Sequence, residues 1–125
     1  MPVLVIDDEE MILRMAARIL EGAGYNVLIS DGWEAAQLRL QELSGEIQAI
    51  ILDYNLRDVS GVELLEAVRA EAPEVPIVIS SGDMIDLNLL PPRLRSGMSV
   101  LQKPYPSASL IYVVQKAIEE TTESF

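Results

Sequence analysis

The sequence contains no cysteine and no histidine among its 125 residues. The absence of cysteine excludes disulfide bonds, thiolate nucleophiles and cysteine-ligated metals. The absence of histidine removes the commonest general base, the usual zinc ligand and any phosphohistidine. The chemistry that remains open to this chain must use carboxylates, hydroxyls and amines.

Basic residues are also scarce, because 9 Lys and Arg stand against 20 Asp and Glu, for a formal net charge of −11. Nucleic acids and anionic membrane surfaces are bound by patches of Lys and Arg, so this balance argues against both as partners. No apolar run approaches the roughly 18 residues of a membrane span, and no basic-then-apolar secretory signal is visible. We therefore expect a cytoplasmic protein.

The length and the composition suit one globular domain over residues 1–125, with 50% hydrophobic and 23% charged residues. Short apolar runs alternate with helical patterns along the chain. Most of these runs are continuously apolar, which is typical of strands covered on both faces. This alternation predicts an α/β fold, a doubly wound five-stranded parallel sheet with helices on both faces. The predicted strands are 3–6, 26–29, 47–52, 76–80 and 98–102.

Capping patterns mark the starts of two predicted helices. Asp31 with Glu34, and Ser60 with Glu63, predict capping boxes for the second and third helices. The first helix is predicted over 10–22, where glycines end it.

The segment 83–97 differs from the other helical segments. Pro91 and Pro92 forbid a continuous helix there, because proline lacks the backbone N–H and clashes with the preceding turn. We expect only one or two short turns between the last two strands.

Polar side chains stand where the predicted strands end. Asp7 and Asp8 follow the first strand, Asp53 follows the third, Ser81 the fourth and Lys103 the fifth. Because ligands of open parallel sheets bind beyond the carboxyl ends of the strands, we expect these side chains to meet at one edge.

These residue types together predict a phosphorylation site on an aspartate. Three close carboxylates form a hard oxygen site suited to Mg²⁺ or Mn²⁺. An Asp carboxylate can act as a nucleophile that forms an acyl phosphate. Lys103 supplies positive charge and Ser81 supplies a hydroxyl donor for phosphoryl oxygens.

Each residue taken alone has an ordinary structural explanation. An Asp pair after a strand commonly caps a helix, Asp53 and Ser81 suit turns, and a lone lysine is usually solvated. However, Lys103 is one of two lysines in the chain and follows an apolar strand. Polar residues of suitable types at the ends of four predicted strands favour one shared site over four separate structural roles.

The motifs VLVIDDEE, AIILDYNL followed by SGVELL, IVISSG and LQKPY resemble the receiver domain of two-component response regulators over nearly the whole chain. The resemblance implies a flavodoxin-like sheet in the order 2-1-3-4-5. It also implies a phosphoacceptor that works with a histidine kinase or a histidine phosphotransfer domain. Such a domain is not an enzyme in the usual sense, because it acts only on itself.

The resemblance further assigns the acidic residues. It implies that Asp53 is the phosphoacceptor, and that Asp8 and Asp53 bind Mg²⁺ directly while Asp7 acts through water. The backbone carbonyl of Asn55 would be a further metal ligand. Gly61 would be the turn glycine before the third helix.

The remaining positions match the phosphoryl pocket of the family. Ser81, rather than Ser80, matches the switch hydroxyl, and Gly82 matches the small residue that leaves room for the phosphoryl group. Lys103 would pair with a phosphoryl oxygen, and the bond between Lys103 and Pro104 is typically cis in the family.

Three departures from the family pattern concern mainly signal output. Val100 stands where an aromatic residue is usual, Arg57 stands where proline is frequent, and Pro91-Pro92 interrupt the fourth helix. The proline-containing segment and LQKPY resemble receivers attached to hybrid sensor kinases. The output partner would then be a second copy or a neighbouring domain of the same protein.

Two alternatives remain open. An Asp-nucleophile phosphohydrolase would carry a second Asp two residues after the nucleophile, whereas this chain has Asn55 there. A phosphate-independent interaction module with the same fold is the other alternative, and the intact acidic pair, acceptor and lysine count against it.

Overall fold

The computed structural model describes residues 1–43 and 45–123. The elements in chain order are β1 (Val3–Ile6), α1 (Glu10–Gly22), β2 (Val27–Ser30), α2 (Trp33–Glu42), β3 (Ala49–Asp53), α3 (Gly61–Glu71), β4 (Ile77–Ser81), a 3-10 helix (Leu87–Leu89), α4 (Pro92–Arg95), β5 (Met98–Gln102) and α5 (Ser107–Glu123). The predicted first and last strands match β1 and β5, whereas the other three strands begin one or two residues later than predicted. None of the helices in the described ranges is long and apolar enough to cross a membrane.

The five strands form one parallel sheet in the order β2-β1-β3-β4-β5. Val3 of β1 lies in register with Val27 on one side and with Ala49 on the other. Parallel neighbours need crossover connections, so the carboxyl ends of all five strands point to the same edge. The predicted doubly wound topology and the strand order implied by the resemblance are confirmed.

Helices cover both faces of the sheet. Side chains alternate between the faces along each strand. On one face, Ile6 belongs to a buried cluster with Trp33 of α2 and Leu64 of α3. On the other face, Val5 belongs to a cluster with Leu110 of α5 and with buried residues of α1. Burial on both faces explains why the strand sequences are continuously apolar.

The helix α2 begins differently from the prediction. Gly32, not Asp31, occupies the N-cap position. The first N–H groups of α2 instead face Asp58, from the loop after β3, whose Oδ1 lies 3.4 Å from N of Trp33 and whose Oδ2 lies 3.3 Å from N of Glu34. The capping-box prediction is wrong because a distant loop supplies the acceptor.

The capping box predicted for α3 is also wrong. Ser60 is the N-cap residue, but its side chain makes no cap hydrogen bond. The next residue, Gly61, has φ of 68°, in the left-handed region that glycine adopts most readily. A capping box needs helical dihedrals immediately after the cap, which this turn does not provide.

The segment 83–97 contains short turns, as predicted. It forms the 3-10 helix at Leu87–Leu89 and the four-residue helix α4, which starts at Pro92. Proline is accepted at the first helical position because its missing N–H would have no helical partner there.

Candidate functional site

Charged side chains at the carboxyl ends of β1, β3 and β5 lie on the same side of the sheet. Asp7 follows β1, Asp53 ends β3 and Lys103 follows β5. By strand alternation, Asp7 and Asp53 continue the face of Val5 and Ile51, which is covered by α1 and α5. The topology therefore brings together residues that are far apart in the sequence.

Asp7, Asp8 and Asp53 form a compact carboxylate cluster. One oxygen from each residue lies within 4.8 Å of the other two. Asp7 and Asp53 are 2% and 7% exposed, and Asp8 is half-buried. Two unit charges about 4 Å apart repel by roughly 4 kcal/mol at an effective dielectric near 20. The cluster therefore depends on cations and hydrogen-bond donors close to it.

Lys103 supplies one of these cations. Its Nζ lies 2.7 Å from Oδ2 of Asp7 and 3.6 Å from Oδ2 of Asp53. Burial lowers the pKa of Lys103, but the hydrogen bond and charge of Asp7, with the charge of Asp53, outweigh burial and raise the pKa overall. The ammonium is therefore charged and bound more closely to Asp7 than to the predicted acceptor.

Asp53 has an environment that disfavours its ionised form. Burial is the main cause that raises the pKa of Asp53, and the charges of Asp7 and Asp8 raise it further. The backbone N–H of Asn55, which donates to Oδ1 at 3.1 Å, and the charge of Lys103 act in the opposite direction without cancelling the rise. A poorly solvated carboxylate of this kind is more basic than a solvated one, and positive charge nearby favours its ionised form.

The acidic cluster fits a small divalent cation. Carboxylate oxygens are hard ligands of the kind that Mg²⁺ and Mn²⁺ prefer. Lys103 brings a single positive charge to three carboxylates, so a divalent ion would offset the remaining repulsion. Asp8 is half-buried rather than fully buried, so the cluster is open to solvent on its side.

The loop after β3 makes two contacts that the sequence did not predict. Nε of Arg57 lies 3.5 Å from Oδ2 of Asp8, although the Arg57 side chain is 85% exposed. The next residue, Asp58, accepts the N–H groups at the start of α2. The sequence distinguishes Arg57 only as a departure from the proline that is frequent at this position. Its ion pair with Asp8 depends on the path of the loop, which no sequence pattern specifies.

The ends of β4 and β5 place the other predicted pocket residues. Ser81 is 1% exposed, and its Oγ accepts a hydrogen bond from the N–H of Asp83 at 3.1 Å. A Cβ added to Gly82 would meet no atom within 4 Å, so there is open space beside this strand end. The peptide bond between Lys103 and Pro104 is cis, as the resemblance implies.

The chain is similar in sequence to proteins of two-component signalling. The chain matches the family model of the response regulator receiver domain over residues 3–115. It is 30% identical over 120 residues to the nitrogen assimilation regulatory protein NtrX of Azorhizobium caulinodans, covering 94% of this chain and 26% of that protein. It is 28% identical over 121 residues to the sensor kinase CckA of Brucella abortus, covering 94% of this chain and 12% of that protein. The chain thus spans about a quarter or less of the length of these relatives.

A solved structure agrees with the sequence relatives. The crystal structure of the receiver domain from the hybrid histidine kinase CckA aligns with a TM-score of 0.80 and 26% identity, covering 94% of this chain and 99% of that chain. Receiver domains are signalling phosphoacceptors that interact with kinases or phosphotransfer partners and typically bind Mg²⁺ in an acidic pocket. The chain therefore belongs to the receiver domain family of two-component response regulators.

Proposed function

We propose that this chain accepts a phosphoryl group on Asp53 from the phosphohistidine of a histidine kinase or a histidine phosphotransfer domain. The observation that carries this proposal is the environment of the two Asp53 oxygens. Oδ1 accepts the N–H of Asn55, whereas Oδ2 lies 3.6 Å from the Lys103 ammonium. One oxygen is thus held in place and the other is oriented beside a positive charge, as a nucleophile toward a phosphoryl group requires.

The phosphoryl transfer uses the carboxylate of Asp53 as nucleophile and the ammonium of Lys103 as counter-charge. Oδ2 of Asp53 forms a P–O bond while the P–N bond of the donor breaks, and the imidazole leaves with the electron pair. Lys103 neutralises charge on the phosphoryl oxygens during the transfer. Water later attacks the phosphorus, the bond to Asp53 breaks, and carboxylate and inorganic phosphate are formed.

We assign Asp8 and Asp53 as direct ligands of Mg²⁺, with the carbonyl of Asn55 as a further ligand. Asp8 supports this assignment because it is the most exposed member of the carboxylate cluster. A bound Mg²⁺ would neutralise the carboxylates and polarise the phosphoryl group.

Asp7 is assigned to hold Mg²⁺ through water. Both of its oxygens already have partners, because Oδ1 accepts the N–H of Glu9 at 2.9 Å and Oδ2 binds Nζ of Lys103 at 2.7 Å. Asp53 differs because its Oδ2 lies 3.6 Å from the same Nζ, so Asp7 is the carboxylate that holds the lysine and would reach the metal through a bound water.

The signal would leave the site through the turn after β4. We propose that the hydroxyl of Ser81 exchanges its bond with the Asp83 N–H for one with a phosphoryl oxygen beside Gly82. Val100, half-buried and in register with Ile79, provides no aromatic ring to change rotamer. The output would therefore depend on movement within 83–97, read by a second copy or by an attached domain, as in hybrid kinases.

The test is phosphorylation by a small-molecule donor such as acetyl phosphate, with Mg²⁺, followed by intact mass. Wild type is expected to gain one phosphoryl group, and Asp53→Asn none. Asp31→Asn, which changes an exposed carboxylate, should label like wild type. Removal of Mg²⁺ with a chelator should suppress labelling.

Three outcomes separate the proposal from its alternatives. A wild type that is not labelled, under conditions that label a known receiver, would support the phosphate-independent module. Release of many equivalents of phosphate per chain would indicate a phosphohydrolase. Labelling that survives in Asp53→Asn would mean that another residue is the acceptor.

A further inference from the structure

Ser80 is a buried serine that the proposed function leaves unused. It lies on β4 and is 2% exposed, and its Oγ has no hydrogen-bond partner among the residues described. Burial of a hydroxyl without a partner is unfavourable, because its bonds to water are lost and not replaced. Such a group in a native fold calls for an explanation.

The strand register places Ser80 beside the predicted acceptor. Ser80 is the register partner of Asp53 across β3 and β4. Side chains two residues apart in a strand point to the same face, so Ser80 shares a face with Val78 and Asp53 shares a face with Ile51. Val78 and Ile51 both belong to the buried cluster beneath α1 and α5. The two side chains therefore lie next to each other on the same side of the sheet.

Ser81 is not equivalent to Ser80, because consecutive strand residues point to opposite faces. Ser81 continues the face of Ile79, which belongs to the cluster under α2 and α3. Its hydroxyl is also engaged by the N–H of Asp83. The two neighbouring hydroxyls therefore have different surroundings, because Ser81 has a hydrogen-bond partner and Ser80 has none among the residues described.

We propose that Ser80 is a second hydroxyl of the phosphoacceptor site, which donates a hydrogen bond to the Asp53 carboxyl as the phosphoryl group leaves. This inference rests on the proposed function. In hydrolysis, water attacks the phosphorus, the P–O bond to Asp53 breaks, and the electron pair stays on the carboxylate while the water protons remain with the phosphate. A hydroxyl that donates to that carboxyl would stabilise the charge that develops there and accelerate the loss of the phosphoryl group.

The experiment compares the lifetime of the phosphorylated protein in four forms: wild type, Ser80→Ala, Ser80→Cys and Ser30→Ala. Each is labelled with acetyl phosphate and Mg²⁺, the donor is removed, and the adduct is followed by intact mass. Ser30 is a matched control, because its Oγ is also buried without a partner in the described part of the chain. Ser30 ends β2 and is in register with Ile6 of β1, which belongs to the cluster on the other face of the sheet from Ser80.

We expect Ser80→Ala to lengthen the lifetime by about two- to tenfold, the effect of one lost hydrogen bond. Ser80→Cys should lengthen it similarly, because a thiol fills the space left by the hydroxyl but is a weak donor. Ser30→Ala should leave the lifetime unchanged. The cysteine variant also keeps the test valid if the alanine variant packs poorly.

An unchanged or shortened lifetime in both Ser80 variants would overturn the inference. Urea unfolding of the same variants detects a purely structural role, which would change the stability of Ser80→Ala and leave the lifetime of the adduct unchanged. Failure of the proposed function is a separate result, because wild type would then carry no adduct at the start.

Discussion

The ammonium of Lys103 lies 2.7 Å from Oδ2 of Asp7. This ion pair joins the ends of β5 and β1, which are separated in the sheet by β4 and β3. Both side chains are largely buried, at 16% and 3% exposure. The lysine therefore spans the carboxyl edge of the sheet and is bound mainly to a neighbour of the acceptor.

The first prediction concerns the stability that this ion pair contributes. Lys103→Gln should lower the free energy of unfolding of the metal-free protein by about 3 kcal/mol, because it leaves the buried Asp7 carboxylate without its counter-charge. Urea unfolding in the presence of a chelator measures this change. Lys116→Gln, which removes an exposed lysine of α5, should change the stability by less than about 0.5 kcal/mol.

The pH dependence of this effect follows from the raised pKa of Lys103. The lysine contributes stability fully below its ordinary pKa, and the contribution is lost as the pH rises through the raised pKa of the folded state. The stabilities of wild type and Lys103→Gln should thus converge as the pH rises through the raised pKa of Lys103. Equal stabilities at pH 7 would contradict the predicted contribution.

The second prediction concerns the stability that the folded protein loses when Asp53 is ionised. Its pKa is raised in the folded state, mainly by burial and then by Asp7 and Asp8. The folded state therefore binds the Asp53 proton more tightly than the unfolded state, and this stabilising effect is lost as the pH rises through the raised pKa. Without metal at pH 7, Asp53→Asn should be more stable than wild type, and the difference should disappear in acid.

Addition of Mg²⁺ should reverse that order. A ligand at a hundred times its Kd stabilises a protein by about 2.7 kcal/mol, so wild type should gain this amount and Asp53→Asn less at the same concentration. Asp31→Asn, with an exposed carboxylate changed, serves as the control and should gain as much as wild type. Equal gains in wild type and Asp53→Asn would place the ion elsewhere.

The third prediction compares two aspartates near the start of α2. Asp58→Ala should lower the free energy of unfolding by about 1 kcal/mol, because its carboxylate accepts the N–H groups of Trp33 and Glu34. Asp31→Ala should change it by less than about 0.5 kcal/mol. Thermal unfolding followed by the fluorescence of Trp33, the single tryptophan, measures both. The reverse order would restore the capping box predicted from sequence.

The fourth prediction concerns Arg57 and the metal. Arg57 neutralises part of the charge of Asp8, so Arg57→Gln should raise the affinity for Mg²⁺ by about two- to fivefold, the range expected for an exposed ion pair. Titration calorimetry at low ionic strength measures this change, which should shrink in about 1 M salt. Arg39→Gln is the control, because Arg39 lines a cavity with Asp8 but is not its ion-pair partner. An equal increase in both variants would indicate a general effect of net charge.

Much of the fold could be predicted from the sequence because its signals are local. Continuous apolar runs such as VLVI and AIIL require burial on both faces, and the alternation with helical patterns admits few topologies. Pro91 and Pro92 similarly determined where α4 begins, through the covalent geometry of proline.

The sequence-based prediction for the start of α2 failed because an acceptor distant in the sequence takes the place of a local one. Asp31 has the right residue type and spacing to cap α2, yet Asp58 reaches the same N–H groups from a loop that follows another strand. No pattern within ten residues of α2 contains that information. For the same reason, the partner of Arg57 could not be identified from the sequence.

The sequence by itself determined which strands exist, which edge of the sheet carries the polar residues, and that Asp7, Asp8, Asp53 and Lys103 meet there. These features follow from local burial patterns and from the handedness of parallel crossovers. The tertiary structure decided the pairing within the site: Lys103 on Asp7, Asn55 on Asp53, and Ser80 in register with the acceptor. Such pairings depend on ångström-scale positions of side chains from separate strands, and only the packed sheet specifies those positions.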